Sequence, residues 1–296
     1  MKRKRHDLRR HRRGRLLTSL VGACALLAAA AIPAGAAEKL NKADFARFIN
    51  CPIEVAKGCT YGETLSGEFK MGTKQVPITT PVVLQGGLAY LGTETLPLIP
   101  PRFGAEAMSK SSQSIPGGLT GLTEIIGGPV NATAEIAGSP SDVLITAVFL
   151  GFGHDTAVQL PVKVHLENPI LGENCYIGSD ANPIVLHLTD GTTKPPAGTE
   201  PISGKIGKNE GRDHGRLLTF IENTLVDNAF PVPAATGCGS GLLEPVITAA
   251  VNLDAGLPSA EGKNVAILNG NFYTALSTWV AKYDKKLLKE KEHPKK

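Results

Sequence analysis

Three features of this 296-residue chain predict a mainly β fold: an antiparallel β-sandwich or barrel-like sheet with long Gly/Pro-rich loops and few short helices. Apolar side chains recur with a period of two, most strictly at Val158, Leu160, Val162, Val164 and Leu166. Gly (33 residues) and Pro (21) punctuate the apolar runs at short intervals, as turns between short strands require. Strands alternating with long helices, the mark of an α/β fold, are missing from the pattern.

The first 36 residues read as an export signal rather than as part of that fold. Nine Lys and Arg with a single acid, Asp7, precede an uncharged run from Leu16 to Ile32. Pro33 then breaks the helix, and Ala34-Gly35-Ala36 offers small residues to a signal peptidase. The run is Ala-heavy and shorter than the roughly 20 strongly apolar residues of a spanning helix. Arg12-Arg13 also admits a twin-arginine reading. Cleavage near Ala36 predicts a secreted or extracytoplasmic mature protein and discards Cys24. It also removes nine of 31 basic and one of 27 acidic residues, so the net charge turns from +4 to −4. A chain of that sign has no broad face for phosphates, which argues against nucleic acid as a partner. No phosphate loop, dinucleotide fingerprint, His-Glu-x-x-His or calcium loop occurs, so no nucleotide, cofactor or metal is expected.

Four cysteines remain, Cys51, Cys59, Cys175 and Cys238, and outside the cytoplasm an even count favours two disulfides. Three pairings are open. Cys51 and Cys59 flank the turn-like Lys57-Gly58, which favours their pairing and leaves Cys175 for Cys238. A Cys-x7-Cys spacing without a neighbouring His does not suit zinc.

Residues 41–50 place Phe45, Phe48 and Ile49 at helical spacing and predict a short helix or entry strand. Residues 67–71 and 75–78 flank Gly72-Thr73 as a hairpin, with Pro77 assigning the second strand to an edge. Residues 81–91 form another β candidate interrupted by Gly86-Gly87. Residues 96–129, rich in Pro, Gly and Ser, read as one long functional loop or as a linker with a sub-boundary near 100–130. Residues 130–137 alternate as a half-buried strand, and 143–150, 158–166 and 184–188 carry the strongest β signal.

Asp190-Gly191 is expected to close a hairpin. Pro195-Pro196 and Gly198 mark a loop, 217–226 a strand or short helix, and Pro245 the earliest start of a helix reaching Leu253. Asn269-Gly270 after 264–268 predicts a type I′ hairpin. From Phe272 onward Leu276, Trp279, Val280, Tyr283 and Leu287 recur at helical spacing, opposite Lys282, Lys285, Lys286 and Lys289. Residues 37–281 therefore form the β-rich domain and 282–296 a basic C-terminal tail with seven Lys and three acids.

Candidate chemistry is sparse. His165 and His187 lie in strong strands, but alternation sends both away from the apolar face. His154 with Asp155 and Asp213 with His214 each set an imidazole beside a carboxylate, the residue types of a general acid-base pair. Neighbours within a loop usually point apart. Gly237-Cys238-Gly239-Ser240-Gly241 lacks the serine placement of a nucleophile elbow, and its cysteine is committed to a disulfide. The tail is the one surface feature with a physical rationale. Trp279, Tyr283, Lys285, Lys286 and Lys289 would suit an envelope polymer or an anionic membrane surface, or the aromatic side would dock on the protein's own sheet.

Two stretches, Val162-Lys163-Val164-His165-Leu166-Glu167-Asn168-Pro169 continuing through Leu171-Gly172-Glu173-Asn174-Cys175-Tyr176-Ile177-Gly178, and the segment GLPSAEGKNVAILNG from Gly256 to Gly270, resemble a group of exported bacterial proteins of uncharacterised function. The resemblance implies secretion and carries no catalytic residue across. The expectation from sequence is a secreted or cell-envelope-associated β-sandwich with a binding or structural role. The alternative is a secreted hydrolase whose acid-base residues assemble from loops.

Overall fold

The computed structural model describes residues 42–92, 94–119, 128–146 and 156–292. Residues 1–36, read above as an export signal, lie outside the described residues, as do residues 147–150 of the expected strand 143–150, His154 and Asp155, and the side chains of Lys286 and Lys289. Two antiparallel sheets face each other. The first runs in the order β11 (Lys208–Arg212), β12 (Leu217–Asp227), β14 (Val265–Leu276), β1 (Gly58–Met71) and β2 (Lys74–Ile78). β3 (Val82–Leu88) also pairs with β1, along its first half from Gly58 to Thr64. The second sheet runs β13 (Ala235–Thr236), β9 (Tyr176–Ile177), β8 (Val158–Glu167), β6 (Asn131–Ile136) and β5 (Ser112–Ser114). β10 (Ile184–Leu188) and β7 (Leu144–Ile145) pair with β8 as well, and β4 (Leu96–Pro97) with β7. Neither sheet closes on itself, so the predicted β architecture takes its sandwich form rather than the barrel-like one.

The period-two signal places the core. In β8, Val158, Leu160, Val162, Val164 and Leu166 are all buried against the first sheet, while Lys163, His165 and Glu167 stay on the outer face. The sandwich is laced at two edges. Thr189 and Val226 exchange both backbone hydrogen bonds between the sheets, at 3.1 and 2.8 Å. On another side Gln113, nearly buried, accepts from the amides of Thr79 (2.8 Å) and Thr80 (3.0 Å) and donates to the Thr80 carbonyl (2.7 Å).

Two turn predictions are corrected. β14 runs straight through Asn269-Gly270, so no hairpin forms there. Gly270 lies opposite Thr64, beside a bulge in β1, where an added Cβ would fall 1.8 Å from the Glu63 carbonyl oxygen. The glycine answers a close backbone approach, not a turn. Asp190-Gly191 likewise closes no hairpin: Gly191 accepts from the Gly204 amide and Thr193 donates to Ile202, so both lie on the arms of a wider loop. The predicted hairpin at Gly72-Thr73 forms as expected, with Met71 paired to Lys74, and 217–226 lies within a strand.

Three helices complete the fold among the described residues: α1 (Lys42–Ala46), α2 (Glu244–Ala255) and α3 (Ser277–Glu292). α2 carries Pro in its first turn, ends at Gly256 in the left-handed region (φ 63°) and buries Ile247, Val251 and Ala255. α1 and α3 cover the outer face of the first sheet. Alternation in β14 sends Phe272 to the interior and Tyr273 and Ala275 outward, where they meet Phe45, Phe48, Val280 and Tyr283. Two disulfides, Cys51–Cys59 and Cys175–Cys238, form the predicted pairs.

Candidate functional site

Between the sheets the apolar faces do not meet everywhere. β6 presents Ala132 and Ala134 where β8, paired to it, presents Leu166 and Val164. On the opposite sheet Gly62 pairs with Phe272, and Gly270 with Thr64 and Asn223. Ala132, Ala134, Gly62 and Gly270 carry one side-chain carbon or none, so a cavity of about 150 Å³ is left among the surrounding Leu84, Leu225, Leu268, Leu160 and Val162. Gly62 contributes by its missing side chain: a Cβ there would meet only Phe272 Cδ2 at 3.5 Å and the Leu84 carbonyl at 3.8 Å.

The walls are almost entirely carbon. Phe69, Val82, Leu84, Ala134, Leu225 and Leu268 line the space yet are only half-buried, so the cavity communicates with solvent. An apolar void of this size takes up an apolar guest rather than water, which needs two to four polar partners. A broader, shallow groove of about 420 Å³ lies on the surface between Pro183, Pro231, Pro233 and Pro258. Its volume is the larger, but it is an open trough, and the deeper apolar space between the sheets is the better binding site.

Among the described residues, the ionisable groups singled out from sequence do not converge. His165 lies flat on the Tyr176 ring on the outer face of the second sheet, 4.6 Å between centroids and 15° between planes. Its Nδ1 is 3.9 Å from Glu167 Oε1, an oxygen that accepts from the Thr133 hydroxyl at 2.7 Å. His187 pairs with Gln159, six residues along β8 from His165, which separates the two imidazoles by about 20 Å at the rise of a strand. The His187 backbone amide donates to Asp227 Oδ2 (2.6 Å). Burial pushes the Asp227 carboxyl above its ordinary range, against the pull of the amides of Ala229 and His187.

Asp213 and His214 occupy the turn between β11 and β12, both at positive φ (48° and 60°), and Asp213 Oδ2 faces Arg216 at 3.4 Å. That turn does not line the cavity. Cys238 is in its disulfide, and among the described residues no cluster of three or more His, Cys, Asp or Glu could hold a metal ion.

The tail residues divide by side. Trp279 and Tyr283 turn onto the first sheet's outer face, where Tyr283 is buried 6.1 Å from the Phe45 ring. The Arg216 and Lys282 cations sit over the Trp279 ring at 4.4 and 3.9 Å. Arg102 ties the helix down through Asp284. Lys282 and Lys285 are exposed. The aromatics named for an interface therefore pack on this protein's own sheet, and Lys282 and Lys285 lie on the exposed side of α3. No described helix is long and apolar enough to cross a membrane.

No protein-family model matches the chain, and no curated protein or solved structure matches it. The site thus rests on geometry alone. Sequence reasoning missed it because its defining residues, Gly62, Ala132, Ala134 and Gly270, are small ones whose effect is space, and no local pattern marks them.

Proposed function

We propose that this protein is an extracytoplasmic β-sandwich that binds a small or slender apolar group between its sheets. The observation that carries this reading is the carbon-lined cavity of about 150 Å³ left by glycine and alanine at facing positions. An apolar occupant would gain by removing these carbon-lined walls from water. Secretion after cleavage near Ala36 belongs to the same proposal; two disulfides fit an extracytoplasmic protein. The hydrolase alternative gains nothing from the Asp213-His214 turn, which stands apart from the cavity.

A series of straight-chain alcohols from butanol to decanol, titrated by calorimetry into wild type and Ala134→Leu, tests the reading. Wild type should bind with affinity that rises and then stops rising as the chain outgrows the cavity. Ala134→Leu, which fills the space, should bind at least tenfold more weakly while melting at the same temperature or higher. Equal binding by both proteins, or none by either, contradicts the proposal.

A second element concerns the envelope. With Trp279 and Tyr283 turned inward, the exposed lysines of α3 are the contact we assign to an anionic surface, at about 1 kcal/mol per Lys. Cosedimentation with envelope fractions should then be lost at high salt. Binding that resists salt would contradict an electrostatic contact.

A further inference from the structure

Where the first sheet borders the cavity, the side chains it turns inward are carbon except along one row. Between β12 and β14, Leu225 pairs with Leu268, Asn223 with Gly270 and Phe220 with Phe272. On the other side of β14, Gly270 meets Thr64 and Phe272 meets Gly62 of β1. Residues directly opposite each other share a face of the sheet, and Leu268 and Phe272 face the interior, so Asn223 and Thr64 do too. Both border the cavity, and Gly270 between them brings no side chain. The row Asn223–Gly270–Thr64 therefore sets an amide and a hydroxyl on either side of an open floor.

Neither polar group is used up by the chain itself. Asn223 is only 4% exposed. Its Nδ2 donates to the Phe220 carbonyl at 3.3 Å, across the bulge in β12, which leaves Oδ1 as an acceptor to which no described residue donates. The half-buried Thr64 hydroxyl likewise has no partner among the described residues. A buried acceptor without a donor forfeits the hydration it gave up on folding. Glu63, the one charged residue among those described at the cavity wall, turns the other way. Its Oε1 accepts from Asn271 Nδ2 (2.8 Å) and from the Tyr273 hydroxyl (3.0 Å), which belongs to the outer cluster. An ionised head group would therefore enter the cavity with no described charge to pair it.

We propose that the guest of this cavity is an uncharged amphiphile whose apolar chain ends in a hydroxyl, the class of the straight-chain alcohols, and that Asn223 and Thr64 bind that hydroxyl over Gly270. The inference rests on the reading of the space between the sheets as an apolar site and adds the polar end of its ligand. Neighbouring strands stand about 4.8 Å apart, so Asn223 and Thr64 flank Gly270 across about 10 Å. Two O–H···O bonds of about 2.8 Å, with the reach of the side chains themselves, span that gap. The ligand hydroxyl donates to Asn223 Oδ1 and accepts from the Thr64 hydroxyl. An ether has no proton to give Oδ1, and a carboxylate lacks the donor and brings an unpaired charge as well.

Calorimetric titration of 1-hexanol, its isomer methyl pentyl ether, and hexanoate into wild type, Asn223→Leu and Thr64→Val tests the assignment. Wild type should bind hexanol about tenfold more tightly than the ether or hexanoate, because only the alcohol satisfies Oδ1. In a wall of carbon alone the ether would bind at least as well, having no donor to leave unpaired. Each variant should bring hexanol down to the affinity of the ether without weakening the ether. Thr64→Val, at a half-buried strand position, carries the test should melting show that Asn223→Leu does not fold. Hexanol and ether that bind equally, and are both lost in Ala134→Leu, overturn the polar row and leave the apolar cavity standing. Binding of neither overturns both readings. Hexanoate that binds as tightly as hexanol overturns the uncharged class, and selectivity for hexanol that survives in a folded variant overturns the role of the residue replaced.

Discussion

Beneath α1 and α3 the chain packs ring against ring, with Phe45 6.4 Å from Phe48 and 6.1 Å from Tyr283, and Tyr61 6.3 Å from Tyr273. Between the sheets the facing side chains are mostly Val, Leu, Ala and Gly, and about 150 Å³ stays unfilled. Both regions are apolar, and each is stapled by a disulfide. What separates them is where bulk was placed. Aromatics are only 5% of the chain, and half a dozen of them secure a helix to an outer face while the principal interior keeps small residues at its centre. The void is therefore not a general looseness of packing: the same chain packs tightly a few ångströms away, across one sheet.

The largest effect that would sharpen this contrast is loss of an aromatic from the outer cluster. Phe45→Ala should cost about 3–5 kcal/mol in chemical denaturation, because the fully buried ring leaves a cavity the neighbours cannot close. A loss under about 1 kcal/mol would show the outer cluster to be as loose as the interior.

The staples come next. Replacing Cys175 and Cys238, 63 residues apart, by Ser should cost about 4.3 kcal/mol, and replacing Cys51 and Cys59, eight apart, about 2.6, by loop-closure entropy. The reverse order in urea midpoints would mean that the outer staple bears more than its ring length implies.

Filling the void should matter least among the packing changes. Ala134→Leu is expected to leave stability unchanged or to raise it by less than about 1.5 kcal/mol, where the same enlargement of a close-packed core costs about 1–3. A large loss on thermal melting would show that neighbouring side chains already fill the space.

The smallest effect is electrostatic and separates interior from surface by sign. Burial raises the folded-state pKa of Asp227 above the unfolded value, so folding favours its protonated form. Its contribution to stability therefore increases as pH falls through that raised value and is complete below the unfolded one. Asp180 is the opposite case. Lys163, at 2.8 Å, and the Gly138 amide lower its pKa, so its contribution is present above the ordinary Asp range and is lost as pH falls through the lowered value. In melts from pH 6 to pH 3, Asp180→Asn should flatten the acid loss of stability and Asp227→Asn should steepen it. Equal slopes for both variants would contradict the assignment.

How far these features can be read from sequence follows from what each depends on. β8 was legible because burial of one face imposes a period of two over ten residues, and the disulfide pairs were legible because a short spacing across Lys57-Gly58 leaves one sensible partner for each remaining cysteine. Asn269-Gly270 misled because the same dipeptide serves a tight turn or a close crossing. Only the carbonyl of Glu63, more than 200 positions away, decides between them. Asp190-Gly191 misled for a similar reason, its partners lying on the far arm of a longer loop. The cavity was illegible because it is made of missing atoms at Gly62, Ala132, Ala134 and Gly270, four positions on three strands that only the register aligns. The tail was half legible: helical spacing identified the apolar side of α3, while the surface it covers is set by β1 and β14.

The most direct test of the cavity as a ligand site is a crystal structure determined under xenon pressure. A xenon atom should lie between Ala134 and Leu268, with the wild-type packing of the outer cluster undisturbed, and no such atom should appear in Ala134→Leu crystals. Ordered water in that space, or sheets closed upon it with no room for xenon, would rule out an apolar ligand site between the sheets.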